Sequence, residues 1–411
     1  MRQLFISNMY PPASIGGYEL GCRDVVRQAE ESGHSTLVLT SDFRIEDTRD
    51  ESSESIHRSL LLDSGNFPNP SMEVSARNQI VNMHNVRTIS YQIANFQPDL
   101  IFCFNLHGLG VFSCLKLLEI AGAPCILYLM DDYFSDLHTS PSAYNHFLGV
   151  LGQLDLRRNF RTISMSKRLT GEIQSKIDID FGDVTYIPGW AEALDHQESN
   201  INDPRDKVIK LVFVSTIEEH KGIFLALEAL SHLSQHEIDR ISLDVYGSGS
   251  TERLLKDISR HGLSSNVRYI GTKTKSDILR LYSNYHFLLF PTWDREPFGF
   301  VAAEAASNGC IPIITKGTGA SEYLEDQRDA IFISRDVDGI LEGIRKALSM
   351  SLEEIEWFRG RCKGSATAKF NKHDLMKTVF GVGESLTSNP GRIMEPQKAA
   401  KALMLSLDSF Y

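Results

Sequence analysis

Short runs of apolar, mostly β-branched or aromatic residues alternate along the chain with longer segments whose apolar positions recur at helical spacing. LFIS (4–7), TLVLT (36–40), LIFCF (100–104), CILYL (125–129), TIS (162–164) and VTYI (184–187) read as strands. Between them the spacing predicts helices over 18–32, 73–95, 109–121 and 167–176. Strands that are apolar throughout and separated by helices imply a parallel sheet covered on both faces. The first half therefore reads as one doubly wound α/β domain.

Near Glu192 the alternation stops, and ALDHQESNINDPRDK (193–207) is polar with no apolar period, as a connector should be. It restarts with IKLVFVS (209–215), SLDVYG (242–247), VRYIG (267–271), FLLFP (287–291), IPIIT (311–315) and AIFIS (330–334). A second doubly wound domain follows from the same logic. The boundaries read as a first domain over 1–191, a linker over 192–207, a second domain over 208–375, and helices over 376–411 that are able to cross back onto the first domain. NPGR (389–392) interrupts that last helical stretch, and no short-period repeat is visible.

Composition changes this picture little. A length of 411 residues accommodates two domains with cores of their own. With 42 Lys+Arg against 53 Asp+Glu the net charge is −11, so no general attraction to nucleic acid or an anionic membrane is expected. The six cysteines form no CxxC pair and sit mostly in apolar runs, which reads as reduced core thiols in a cytoplasmic protein. The N-terminal apolar stretch is too short for a signal sequence, and no window is long and apolar enough to span a membrane.

Open α/β sheets bind ligands beyond the carboxyl ends of their strands, beside helix N-termini. Two such sheets facing a central cleft would gather the post-strand loops of both halves, so the chemistry is sought there. The segment PTWDREPFGFVAAEAASNG (291–309) ends a strand, turns through Glu296-Pro297-Phe298-Gly299 and enters an alanine-rich helix containing Glu304, with Gly309 after its end. Two carboxylates then flank a helix start whose free N–H groups suit an anion.

Two glutamates with seven residues between them in EPFGFVAAE, followed by GTGASE (317–322), closely resemble the motif of retaining GT-B glycosyltransferases, especially glycosyltransferase family 4. The resemblance implies that Glu296 faces the donor sugar, that Glu304 binds the ribose diol, and that Phe298, Gly299 and Phe300 belong to the donor site. FVSTIEEHKGIFLALEAL (213–230) resembles the family's phosphate-binding segment, with Lys221 at the lysine that neutralises the donor diphosphate and Thr216 where the family carries arginine. Gly247 in LDVYGSGS and Gly271-Thr272 in VRYIGTKTKSDILRLY (267–282) match segments whose post-strand loops frame the nucleotide, although such glycines are equally plain turn residues.

In the first half, Pro-Pro followed by Gly16-Gly17 resembles the family's N-terminal loop, which closes over donor phosphates and acceptor; a tight turn requiring positive φ is compatible with that role. His107 ends a strand in a loop, and Asp131-Asp132 stands where relatives carry His-Asp, with Asp131 at the histidine position. Adjacent aspartates raise a cation site, but no further ligand cluster accompanies them, so no metal is expected. Arg157, Arg158, Arg161, Lys167 and Arg168 form a basic group that suits a phosphorylated acceptor, lipid headgroups or plain solvent.

Taken together, the resemblance implies a GT-B, metal-independent glycosyltransferase with no cofactor beyond its nucleotide-sugar donor, a UDP-sugar being expected. Glu296, Lys221, Asp131 and His107 are the catalytic candidates. The acceptor would be a glycan, a lipid-linked or a small-molecule hydroxyl, in glycan or glycoconjugate synthesis, with peripheral contact at the inner membrane face left open. The rivals are a catalytically silent sugar-nucleotide-binding scaffold, suggested by Thr216 and Asp131, and a nucleotide-sugar epimerase of the same fold. A nucleic-acid partner is not expected.

Overall fold

A computed structural model describes residues 1–13, 16–43, 55–62, 80–134, 145, 148–150, 152–194, 208–388 and 395–407. The chain divides into two units, Met1–Ile187 with Met376–Tyr411, and Pro188–Leu375.

The first unit contains β1 (Arg2–Ile6), α1 (Gly17–Glu31), β2 (Ser35–Ser41), β3 (Ile56–Leu60), α2 (Met83–Phe96), β4 (Leu100–Cys103), α3 (Val111–Ala121), β5 (Cys125–Leu129), β6 (Phe160–Ser164), α4 (Lys167–Lys176) and β7 (Val184–Tyr186). All neighbours are parallel, in the order β3-β2-β1-β4-β5-β6-β7. The central strands are buried on both faces, as their unbroken apolar runs require. In register, Phe5 lies opposite Phe102 with the rings stacked at 4.8 Å, and Phe104 stacks on Tyr128 at 4.9 Å.

The sequence pattern omits β3. It is an edge strand in which only Leu60 is buried, so it lacks the apolar signature of its neighbours. Of the helix expected over 73–95, the start lies among residues 63–79, outside the described ones; a helix runs over Met83–Phe96, where the Asn82 side chain accepts the Asn85 N–H and caps it.

The second unit runs β8 (Ile209–Val214), a 3₁₀ turn (Glu219–Lys221), α5 (Ile223–Ser231), α6 (Gln235–Ile238), β9 (Ile241–Tyr246), α7 (Thr251–Arg260), β10 (Val267–Gly271), α8 (Lys275–Tyr282), β11 (Phe287–Phe290), α9 (Phe300–Ser307), β12 (Ile311–Thr315), a second 3₁₀ turn (Gly319–Glu322), β13 (Ile331–Ile333), α10 (Val337–Ser349) and α11 (Leu352–Lys369). Its six parallel strands take the order β10-β9-β8-β11-β12-β13. Pro188–Leu194 belong here rather than to the first unit: the Ala191 N–H donates to the Phe370 carbonyl, and the Leu194 N–H to Asn308 Oδ1. The remainder of the polar stretch, 195–207, lies outside the described residues.

Two further helices, α12 (Lys372–Thr387) and α13 (Pro396–Leu407), close the chain. From Met376 onward they belong to the first unit. Phe380 meets Phe102 edge-on at 6.2 Å, and a Cβ on Gly383 would come within 2.6 Å of Leu100 Cδ2, so only glycine lets α12 lie this close to the sheet. α13 packs on α2 and α3.

Each sheet has one switch point, where the strand order reverses direction from the first strand of the unit: β1/β4 in one and β8/β11 in the other. Loops leaving those strands are where a ligand meets a doubly wound sheet. Among the described residues, no helix is long and apolar enough to cross a membrane, and all six cysteines are buried and free.

Candidate active site

The two loops at the switch point of the second sheet bring Lys221 and Glu296 together across 75 residues of sequence. Lys221 Nζ donates to Glu296 Oε2 at 2.7 Å, and the Thr292 hydroxyl donates to the same oxygen at 3.0 Å. Thr292 is fully buried, and both partners of the ion pair are largely so. Glu296 Oε1 receives no hydrogen bond from any described residue. The carboxylate is therefore held by one oxygen and offers the other.

Local backbone geometry produces this pairing. After β8 the chain turns through the 3₁₀ segment and reaches Gly222 at φ 79°, a left-handed conformation that starts α5. A Cβ on Gly222 would stand 2.0 Å from the Pro291 carbonyl oxygen, so glycine is what allows the two loops to touch. The Trp293 N–H donates to the His220 carbonyl, and the two rings lie 4.8 Å apart. Thr216, in the family arginine position, is exposed.

The EPFG turn is clamped from behind. The Gly319 N–H donates to the Glu296 carbonyl and the Ala320 N–H to the Phe298 carbonyl; Gly319 sits so close that a Cβ there would lie 1.9 Å from the Pro297 oxygen. Gly299 takes φ 92° and starts α9 at Phe300. Phe298 does not present its ring to a ligand: it is 1% exposed and packs edge-on against Phe300, Tyr323 and Phe370. Phe300 is half-buried.

Glu304, one turn into α9, is buried in a helix whose alanines 302, 303, 305 and 306 are inaccessible and let α11 close against it. Lys275, the first residue of α8, approaches its Oε1 at 3.0 Å. Burial holds the Glu304 carboxyl above the usual carboxylate range, and Lys275 pulls it back down. No described residue donates to its second oxygen. Lys275 and Thr292 are the two partners that sequence reasoning missed. The only trace of Lys275 is a cation at a helix start, where the dipole disfavours it.

The glycine loops differ among themselves. Gly247 takes φ 147°, and a Cβ there would fall 1.8 Å from the Ser215 oxygen, so it serves the approach of two post-strand loops. Its N–H donates to the Gly271 carbonyl. Gly271 takes φ 98° with open space around it, and Thr272 is exposed.

In the first unit, Gly16 caps α1 in extended conformation, φ −150°, with nothing within 4 Å of a Cβ position; neither Gly16 nor Gly17 has positive φ. The tight turn that would require glycine is therefore not there. The Gly16 N–H donates to Glu19 Oε2, completing the cap. α1 is anchored beside β5 by Tyr18, whose buried hydroxyl donates to the Tyr128 carbonyl and accepts the Met130 N–H. His107 is half-buried after β4; its carbonyl accepts from Asn8 Nδ2 at 3.1 Å and its N–H donates to Asn105.

Asp131 is exposed after β5 and accepts the Asp132 N–H, while Asp132 pairs with Lys176 at 2.6 Å. The two aspartates are thus spoken for separately. No group of three or more His, Cys, Asp or Glu stands ready for a metal among the described residues. The basic group is largely met from within: Arg157 pairs with Asp155 and Asp180, Arg168 with Glu172, and Arg161 donates to the Phe160 carbonyl. Lys167 lies 5.9 Å over the Tyr186 ring.

Residues 195–358, which contain the Lys221–Glu296 and Lys275–Glu304 pairs, match the family model of glycosyl transferases group 1. The chain is 20% identical to an uncharacterized glycosyltransferase of Methanocaldococcus jannaschii, covering 95% of this chain and all of that one. It is 23% identical to a glycogen synthase of Mycobacterium tuberculosis, over 85% and 86% of the two chains. Its structure superposes on HepE of Anabaena in complex with UDP with a TM-score of 0.70 at 16% identity, covering 94% of this chain and 100% of the other. With two all-parallel Rossmann-like units of this topology, the chain has the GT-B fold, and its second unit contains the segment that matches glycosyl transferases group 1.

Proposed function

We propose that this protein is a retaining glycosyltransferase that moves a sugar from a nucleotide donor, UDP-linked in the first instance, to an acceptor hydroxyl in glycan or glycoconjugate synthesis. The observation that carries the reading is the Lys221–Glu296 pair at the switch point of the second sheet, with one glutamate oxygen held and one open. The group 1 match over the same residues and the UDP bound by HepE support it.

The chemistry follows from these groups. Glu296 Oε1 accepts a donor-sugar hydroxyl, while Thr292 keeps the carboxylate aimed once Lys221 turns to the diphosphate. Glu304 accepts the ribose hydroxyls through its second oxygen. The acceptor oxygen attacks the anomeric carbon on the face from which the diphosphate departs. The C–O bond to phosphate breaks with its electrons going to the phosphate oxygen, and that oxygen takes the acceptor proton. Negative charge grows on the diphosphate, and Lys221 with the N-terminus of α5 stabilises it, so a metal has no assigned role. His107 and Asp131 are assigned to the acceptor side.

The test is turnover of a donor found by a calorimetric screen of nucleotide sugars, with the anomeric configuration of the product read by proton NMR. Glu296→Gln and Lys221→Ala are each expected to lower kcat at least about a hundredfold. Unchanged turnover in either, or an inverted product, overturns the assignment.

A further inference from the structure

Lys275 lies in VRYIGTKTKSDILRLY (267–282), three residues past the Gly271-Thr272 loop, and it approaches the most buried carboxylate of the site. It is the first residue of α8, after Thr274, whose hydroxyl caps the helix by accepting the Asp277 N–H. A cation at that position opposes the helix dipole. Its ammonium nevertheless lies 3.0 Å from Glu304 Oε1, with the lysine half exposed and the glutamate almost enclosed.

Resting on the proposed function, we infer that Lys275 is a positioning residue for nucleotide binding: it holds Glu304 ionised by one oxygen and leaves the other to accept the ribose diol. The carboxylate has to be charged to accept two hydroxyl donors, because a protonated carboxyl would offer a donor of its own in their place. Burial works against that charge, and the surrounding groups do not restore it. Glu192, from the segment before the second sheet, is a like charge that acts in the same direction as burial. Tyr282 on α8 is buried and neutral, its hydroxyl pushed far up by burial and by Glu304 itself. On α11, Arg359 spends its guanidinium on the Gly309 and Ser283 carbonyls and on Glu356. The cation that lowers the Glu304 carboxyl is Lys275.

A second consequence concerns charge. With Lys275 in place, both glutamates of the site are matched by a lysine, 221 with 296 and 275 with 304. An incoming diphosphate then meets no net negative charge from these four groups. Remove Lys275, and Glu304 either repels the phosphates or takes up a proton.

The experiment is calorimetric titration of the full chain with UDP, GDP and ADP, taking the tightest binder from pH 5.5 to 9, alongside its 2′-deoxy form. In the unaltered protein binding weakens as pH falls and Glu304 is protonated. In Lys275→Met the same loss is expected to set in at higher pH, with affinity about tenfold weaker at pH 7 and little preference left for ribose over 2′-deoxyribose. Lys275→Arg is expected to restore both affinity and profile, and Lys275→Gln, which keeps a polar N–H donor without the charge, to behave as methionine does. Glu304→Gln separates the two levels of inference. If it weakens binding while Lys275→Met and Lys275→Gln leave the pH profile and ribose preference unchanged, the role of Lys275 is overturned and the nucleotide site stands. If Glu304→Gln has no effect, or none of the three nucleotides binds, the functional reading fails and this inference with it.

Discussion

Lys221 and Glu296 form an ion pair of 2.7 Å in which each side chain keeps less than a fifth of its surface accessible. In the free protein the lysine thus neutralises the same carboxylate that the donor sugar would need. Removing one partner strands the other charge in a poorly solvated pocket, which costs about 2 kcal/mol for a pair this enclosed. Lys221→Ala is therefore expected to lower Tm clearly. The double variant Lys221→Ala/Glu296→Gln should recover part of that loss, since no unpaired charge remains. Thermal unfolding of the four proteins measures the coupling, and strict additivity would mean the pair does not exist in solution.

Thr292 shares Glu296 Oε2 with Lys221, at 3.0 Å. When Lys221 moves to a diphosphate, the threonine hydroxyl becomes the carboxylate's remaining tie. Thr292→Val keeps the shape and deletes the donor, worth about 1 kcal/mol. The expected result is a kcat about fivefold lower with KM little changed, and recovery in Thr292→Ser. A fall in Tm with kcat intact would make Thr292 a packing residue only.

How far the site could be read in advance depended on sequence distance. Lys221 and Glu296 each lie in a compact local motif, KG before a helix and EPFG after a strand, so their candidacy was legible; their contact was not. Lys275 and Glu304 meet through the packing of α8 beside α9, and nothing local to either residue announces the other. The strands of both sheet centres were legible because burial on two faces leaves an unbroken apolar run. β3 was not, since an edge strand needs only Leu60 inside. The basic group around Arg157 looked available to an anion because its acidic partners are spread over Asp155, Glu172 and Asp180. Of these, only the i,i+4 pairing of Arg168 with Glu172 had a helical spacing that could have revealed it.

Thr216 is exposed on the loop after β8, five residues before Lys221. A longer side chain can extend there without displacing core. Thr216→Arg adds a charge-assisted donor, worth about 1.5 kcal/mol if it reaches the diphosphate. Binding of UDP should tighten about tenfold and become more salt-dependent. An unchanged affinity would place position 216 away from the phosphates.

Gly222 and Gly16 both precede a helix and give opposite expectations for the same substitution. Gly222 needs its left-handed φ of 79°, and an added methyl would meet the Pro291 oxygen at 2.0 Å, so Gly222→Ala has to move the loop that carries Lys221 away from the loop that carries Glu296. A loss of at least about 2 kcal/mol in stability is expected, with turnover falling alongside it. Gly16 has extended backbone and no atom within 4 Å of the new methyl, so Gly16→Ala should leave Tm within about 1 °C. Its effect on turnover then reports ligand approach alone, undisturbed by folding. A drop in kcat/KM at constant Tm supports a ligand passing close to the Gly16 backbone; full activity in Gly16→Ala would leave that loop with the capping of α1 as its whole role.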